Sequence, residues 1–159
     1  MDAATALVQV SGVSCMLFAA VGSGLGSGVA GMSAVGAWKR CYLQNKPAPF
    51  QLAVFVGAPL SQTIYGMILM LLINGKTKAM TPDLANMYWI FLVVAGVLGG
   101  MVMGLSAYLQ GRAAAGACDA FAETGKGFTN DLMVLGVIET VALFVMVFVI
   151  ICMGIIPAA

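Results

Sequence analysis

Four long stretches of the sequence carry almost no charged residue. Residues 3–38, 47–75 and 84–111 contain no Asp, Glu, Lys or Arg, and residues 132–159 contain only Glu139. A helix needs about 20 apolar residues to cross the hydrocarbon core of a bilayer, and each stretch is long enough. The chain is 62% hydrophobic and 8% charged, whereas soluble domains carry about 25% charged residues. The sequence therefore predicts an all-α membrane protein with four transmembrane helices, the first long enough to project beyond the bilayer.

The segments that connect the four predicted spans hold nearly all the charge. An even number of spans places both termini on one side of the membrane and the first and third connections, 39–46 and 112–131, on the other. These two connections hold five Lys or Arg residues, and the second connection, 74–83, holds two. The positive-inside rule predicts that 39–46 and 112–131 are cytoplasmic and that the termini lie outside the cell membrane. The net charge of +1 argues against a nucleic acid partner.

The two halves of the sequence resemble each other. Residues 24–37 and 104–117 are identical at six of fourteen aligned positions, and PLSQTIYG at 59–66 aligns with GVIETVAL at 136–143. We interpret the chain as two tandem, related helical hairpins. Glycines at four-residue spacing in the first and third spans predict that the backbones of these helices approach neighbouring helices closely in the membrane, as a crowded ring requires. They include Gly22, Gly24, Gly26 and Gly28 in the first span and Gly96, Gly100 and Gly104 in the third.

The duplication predicts two units, a first hairpin over 1–75 and a second over 76–159. In the alignment, Gln62 of the first hairpin lies opposite Glu139 of the second. The carboxylate is therefore present in only one of the two copies.

Glu139 is the residue with the clearest functional implication. An ionised side chain at the centre of a membrane helix costs about 2.5–3.5 kcal/mol on insertion scales. A carboxyl group lowers this cost by taking up a proton or by binding a cation. No Lys or Arg lies deep in any of the four stretches, so a structural ion pair has no obvious partner. The sequence predicts that Glu139 carries an ion.

The second predicted span offers a polar face that suits such a site. Ala58, Ser61, Gln62 and Tyr65 follow the i, i+3, i+4, i+7 spacing of one helix side. Pro59 lacks an N–H, which leaves carbonyl oxygens underused close to this face. Carboxylate, carbonyl and hydroxyl oxygens are ligands that hard cations prefer. The oxygen-rich set, with Gln110 in the third span, therefore favours Na⁺, and H⁺ stays an alternative because a proton needs fewer partners.

Short motifs across nearly the whole chain resemble one family. They are P-x-S-Q-x-x-Y-G in the second span, L-Q-G-R-A-A-A-G at the end of the third and V-I-E-T in the fourth. Together with the glycine-rich first span and the single carboxylate, they are similar to the K subunit of V-type ATPases. The K subunit is a duplicated c-type proteolipid that forms the rotor ring, and the sequence resembles the sodium-pumping bacterial branch most.

The resemblance implies an ion site in each copy of the ring. The implied Na⁺ ligands are the side chains of Glu139, Gln62, Gln110 and Ser61 and the backbone carbonyl of Ala58. The implied role of Tyr65 is to donate a hydrogen bond to Glu139 and to hold the site closed, and Thr140 and Pro59 are expected to support the site. Ser61 stands where the family more usually has Thr, which keeps the oxygen and loses a methyl group.

The resemblance also implies partners and a mechanism. Identical copies form a ring in the lipid membrane, and central stalk subunits of a soluble ATPase head turn it. A stator protein of the a or I type supplies an Arg that competes for the carboxylate and helps to release the ion. The chain has no nucleotide-binding motif, so it is expected not to be an enzyme on its own.

Two other classes of membrane protein fit the sequence less well. A proton-coupled four-helix secondary transporter explains Glu139, but not the repeat, the glycine spacing or the polar second span. A purely structural four-span protein does not explain Glu139.

Overall fold

The computed structural model describes residues 3–157, and within that range it contains helices and no strand. The helices are α1 (Ala3–Leu43), α2 (Leu52–Gly57), α3 (Ser61–Lys78), α4 (Pro82–Thr124) and α5 (Phe128–Gly154), and a 3₁₀ turn at Ala58–Leu60 joins α2 to α3. Because α2, the turn and α3 form one span, Leu52–Lys78, the described residues include four helices long and apolar enough to cross a membrane. The predicted fold class is confirmed.

The four spans alternate between long and short. α1 and α4 have 41 and 43 residues, and the other two spans have 27 residues each. At 1.5 Å per residue, the long helices measure about 60–65 Å and the short ones about 40 Å, against a hydrocarbon core of about 30 Å. The expected length of the first helix is confirmed, and α4 is also much longer than the hydrocarbon core is thick. The repeated long–short order is consistent with a duplicated hairpin.

The non-helical connections are shorter than the charge pattern predicted. α1 continues through part of 39–46 to Leu43, and of 112–131 only 125–127 separates α4 from α5. Charged residues in these segments remain helical and pair with one another: Arg40 at the end of α1 donates to Asp119 Oδ1, 2.9 Å away, and to Glu123 on α4. These ion pairs join the projecting ends of the two long helices.

The turn between α4 and α5 depends on two glycines. Gly125 has φ +65° and Gly127 has φ +90°, conformations that side chains with a Cβ rarely adopt. This allows α5 to reverse direction within three residues and to pack beside α4. At the other end, Thr81 caps α4 by accepting a hydrogen bond from the Leu84 N–H, and Pro82 follows at the first helical position.

α1 and α4 pack backbone against backbone along their glycines. A Cβ on Gly22 would lie 2.0 Å from the Gly104 carbonyl oxygen, and one on Gly111 would lie 2.2 Å from Gly26 Cα. This confirms the close approach predicted from the glycine spacing. A Cβ on Gly24 or Gly28 would meet no atom of the same copy within 4 Å, so these two glycines face away from α4, and their predicted close packing against another helix stays a prediction.

α5 is the least covered of the spans. Of its 27 residues, three are buried, and many apolar side chains lie exposed on its outer surface. The buried residues are Leu135, Ala142 and Met153. α5 therefore lies on the outside of the bundle, where its polar contacts contribute more of its attachment than they do for α1 or α4.

Candidate functional site

Glu139 lies near the middle of the α5 span and accepts two hydrogen bonds from neighbouring helices. The Tyr65 hydroxyl on α3 donates to Glu139 Oε1 over 2.6 Å, and Gln110 Nε2 on α4 donates to Glu139 Oε2 over 3.2 Å. Glu139 is about 17 Å along the helix from the start of α5. Each carboxylate oxygen thus has a neutral donor. Among residues 3–157, the ion pairs are those of Arg40, at the projecting ends of α1 and α4.

Gln62 and Gln110 connect the first hairpin to the carboxylate. Gln62 Nε2 donates to Gln110 Oε1 over 2.9 Å, and Gln110 Nε2 donates to the Leu135 carbonyl over 2.9 Å as well as to Glu139. Both glutamine side chains are fully buried. Buried amides are costly unless hydrogen-bonded, and this chain of bonds provides their partners. It also joins α3, α4 and α5 at one depth.

The 3₁₀ turn brings two further oxygens to the same place. Ser61 Oγ lies 3.1 Å from the Ala58 carbonyl oxygen and 3.2 Å from Gln62 Oε1. Pro59 removes one backbone donor, and the chain forms a tighter turn in which the Ser61 N–H also bonds the Ala58 carbonyl. The expectation of underused carbonyls concerned the turn before Pro59; the Ala58 oxygen itself accepts from both the N–H and the hydroxyl of Ser61.

Thr140 does not join this cluster. Its hydroxyl donates to the Val137 carbonyl one turn earlier, over 2.6 Å, and the residue is exposed. Glu139 and Thr140 are adjacent on α5, so their side chains point about 100° apart around the helix axis. The site brings together Glu139, Gln62, Gln110, Ser61, Tyr65 and the Ala58 carbonyl and leaves Thr140 on the outer surface.

Ser106 lies near the site, although the sequence motifs did not single it out. Its hydroxyl donates to the Ile138 carbonyl over 2.9 Å, and the residue is 4% exposed. Ser106 precedes Gln110 by one helical turn of α4. Its position in an uncharged stretch, one turn before a membrane glutamine, is the signal that could have identified it.

The chemistry of the cluster suits a monovalent cation or a proton. One carboxylate is surrounded by amide, hydroxyl and carbonyl oxygens, and the described residues contain no group of three or more His, Cys, Asp or Glu side chains placed for a metal ion. Divalent and transition metals generally use several such ligands. One negative charge with several neutral oxygens balances a single positive charge.

A comparison with protein families gives one match. Residues 93–152 match the family model of the ATP synthase C subunit. This stretch is less than half of the chain, and it includes Gln110 and Glu139 but not Ser61, Gln62 or Tyr65. None of the curated proteins matches the sequence.

The matched family consists of membrane proteins that form the ion-translocating rotor ring of a rotary ATPase and are not enzymes on their own. The four spans and this match identify a multi-pass membrane protein. They also agree with the expectation that the chain has no catalytic activity by itself. The matched stretch covers the part of α4 and α5 in which the carboxylate and its amide partner lie.

Proposed function

We propose that this chain is the duplicated rotor-ring subunit of a V-type ATPase and that each copy carries one Na⁺ through the membrane at Glu139. The observation that supports this best is the hydrogen-bonded chain from Gln62 through Gln110 to Glu139, which links three spans around one membrane carboxylate. The family match over residues 93–152 supports the rotor-ring role.

The surface of the second hairpin supports assembly into a ring. α4 packs on α1, and α3 of the first hairpin contacts both of them. By the internal repeat, the corresponding groove lies between α4 and α5, and its lining residues Leu105 and Val141 are 59% and 50% exposed. In the proposed ring, α1 of the next copy packs into this groove, as α4 packs into the groove between α1 and α3 of its own copy. A head-to-tail contact between identical copies closes into a ring when the rotation from one copy to the next is a whole fraction of 360°.

The duplicated arrangement supports the V-type assignment. Two hairpins with one carboxylate give one charge for every four helices, because Gln62 occupies the position of the second carboxylate. This is the pattern of the V-type proteolipid that the sequence resembles.

The set of oxygens supports Na⁺ as the ion. Gln62, Ser61 and the Ala58 carbonyl place oxygen atoms together on the side of α3 that faces α4. A proton on Glu139 would need only one acceptor, so these additional oxygens would have no role in a proton site. Na⁺ binding requires the Ser61 hydroxyl to direct its hydrogen away from the ion and its lone pairs towards it.

The ion is proposed to move as follows. While Glu139 faces lipid, Tyr65 and Gln110 hold its carboxylate over the bound ion. When rotation brings the copy to the stator, an Arg of the stator competes for the carboxylate and the ion leaves. The soluble ATPase head supplies the torque through the central stalk. The proposed topology places the Arg40 end of the bundle in the cytoplasm and the termini outside.

Uptake of radioactive Na⁺ by the complete ATPase in sealed vesicles tests this function. ATP should drive Na⁺ uptake that persists, or increases, when a protonophore removes any pH gradient. Uptake that the protonophore abolishes would make H⁺ the primary ion. A purified particle that is a dimer rather than a closed ring would instead favour the secondary transporter.

Cysteine labelling tests the topology. Native Cys41 and Cys118 are buried and would react slowly from either side. Lys46 and Lys126 are exposed near the same end of the bundle, so Lys46→Cys and Lys126→Cys are better reporters. Both should resist an impermeant thiol reagent outside intact cells, and labelling from outside would reverse the proposed orientation.

A further inference from the structure

The direction in which Glu139 points depends on the rotation of α5 about its axis. Within one copy, α5 has three buried residues, so apolar packing inside the copy restrains this rotation weakly. A carboxylate about 5 Å from the axis moves by nearly 2 Å when the helix turns by about 20°. Such a movement would break the 2.6 Å bond from Tyr65 to Glu139.

Two polar side chains of α4 hold the backbone of α5 around Glu139. Ser106 donates to the carbonyl of Ile138, the residue immediately before Glu139, and Gln110 donates to the carbonyl of Leu135, one turn before it. The two donors lie one turn apart on α4 and are 4% and 0% exposed. Two bonds at different heights on one helix resist its rotation better than a single bond does.

We infer that Ser106 is a positioning residue for Glu139. Its bond to the Ile138 carbonyl fixes the rotation of α5, so that one carboxylate oxygen meets the Tyr65 hydroxyl and the other meets the Gln110 amide. Ser106 does not touch the carboxylate or the proposed ion ligands Gln62 and Ser61 in the described hydrogen bonds. The inference rests on the proposed function in that Glu139 is taken as the ion carrier.

The simpler role for Ser106 is general helix adhesion, and the chain provides a matched control for it. Ser33 on α1 donates to the Ala115 carbonyl on α4 over 2.8 Å, which is also a serine-to-carbonyl bond between two spans. This bond joins the two long helices and does not involve α5. If Ser106 acts only by adhesion, Ser33→Ala and Ser106→Ala should have the same effect on the ring.

The test uses the assembled ring and a carbodiimide, which modifies the protonated acid of Glu139. The Na⁺ concentration that halves modification is measured at one mildly acidic pH. Ser106→Ala should raise this concentration roughly two- to tenfold, the range expected for the loss of one hydrogen bond, and Ser33→Ala should leave it unchanged. Ser106→Thr, which keeps the hydroxyl, should restore the original value.

The inference would be overturned if the Na⁺ concentration that halves modification were the same for Ser106→Ala and the unmutated ring. It would also be overturned if Ser106→Ala and Ser33→Ala shifted this concentration equally. If Ser106→Ala does not assemble, Ser106→Cys fills nearly the same space with a weaker donor and should give a smaller shift in the same direction. If Na⁺ fails to protect the unmutated ring, Na⁺ transport itself is refuted. The rate at which carbodiimide modifies Glu139 without Na⁺ then tests Ser106, and it should rise in Ser106→Ala, where the carboxyl is held less firmly, but not in Ser33→Ala.

Discussion

The two hairpins share the order of one long and one short span, and they differ in charge where Gln62 of the first aligns with Glu139 of the second. Gln62 in the first hairpin is fully buried, whereas Glu139 in the second is only partly buried. A neutral amide can stay sealed in the bundle once its hydrogen bonds are made. A carboxylate that exchanges an ion must remain within reach of another protein. In the proposed site, the first hairpin contributes only neutral groups, including Gln62, and the second contributes the carboxylate of Glu139 together with Gln110.

The largest expected effect comes from Glu139→Gln, which gives the second hairpin the same side chain that Gln62 provides in the first. Glu139→Gln keeps the shape of the side chain and removes its charge, so ATP-driven ion uptake in vesicles should fall to background while the ring still assembles. Thr140→Ser is the control, because the neighbouring Thr140 hydroxyl faces outward and bonds its own helix. Substantial transport by Glu139→Gln would show that Glu139 is not the ion carrier.

The second prediction contrasts the two sides of α1. Gly22→Ala would place a methyl group against the Gly104 backbone, whereas Gly24→Ala would place one in open space. Overpacking of this kind costs about 1–3 kcal/mol. Thermal dissociation of the ring should therefore occur at a lower temperature in Gly22→Ala and at nearly the original temperature in Gly24→Ala. Equal temperatures for the two variants would contradict the backbone contact between α1 and α4.

The third prediction concerns the contribution of the first hairpin to the ion site. Gln62→Leu keeps the volume and removes one proposed ligand and one amide bond. The loss of a partner to a charged group is worth about 1.5–3 kcal/mol, so the affinity for Na⁺ should fall roughly tenfold to a hundredfold. Na⁺ protection of Glu139 from carbodiimide measures this directly, with Thr140→Ser again as the control. An unchanged affinity for Na⁺ would show that Gln62 serves only in helix packing.

The smallest expected effect is that of Tyr65→Phe. This variant removes the 2.6 Å bond to Glu139 and no proposed ligand of the ion, so affinity should fall by roughly two- to tenfold. Carbodiimide should modify Glu139 faster at a given Na⁺ concentration because the carboxyl is held less firmly. A larger loss than that of Gln62→Leu would mean that Tyr65 contributes to the site more directly than the hydrogen bond indicates.

The sequence was enough to predict the four spans, because long uncharged runs have few alternatives in a membrane protein. It also placed Gln62, Gln110 and Glu139 on three different spans, and the structure joins them in a continuous chain of hydrogen bonds. Helical spacing on α3 grouped Ser61 and Tyr65 with Gln62 correctly.

Other features could not be predicted, because a membrane helix lacks a clear polar face. In α5 nearly every residue is apolar, so the sequence did not show that Thr140 points away from the site. The sequences of α4 and α1 are similarly apolar in their uncharged stretches. They therefore did not single out Ser106 on α4 or distinguish Gly24 from Gly22 on α1. The charged residues predicted where the connections lie along the chain, but not that much of them is helical. Asp119 and Glu123 pair with Arg40 while α4 remains helical.

The most direct test of the account is carbodiimide modification of Glu139 in the unmutated, purified ring across Na⁺ concentrations at a fixed, mildly acidic pH. Bound Na⁺ displaces the proton that the reagent requires, so modification should fall as Na⁺ rises and should locate to Glu139 by mass spectrometry. Modification that does not change with Na⁺ concentration and changes only with pH would contradict the central claim. It would identify a proton ring in which Gln62 and Gln110 serve only to hold the helices together.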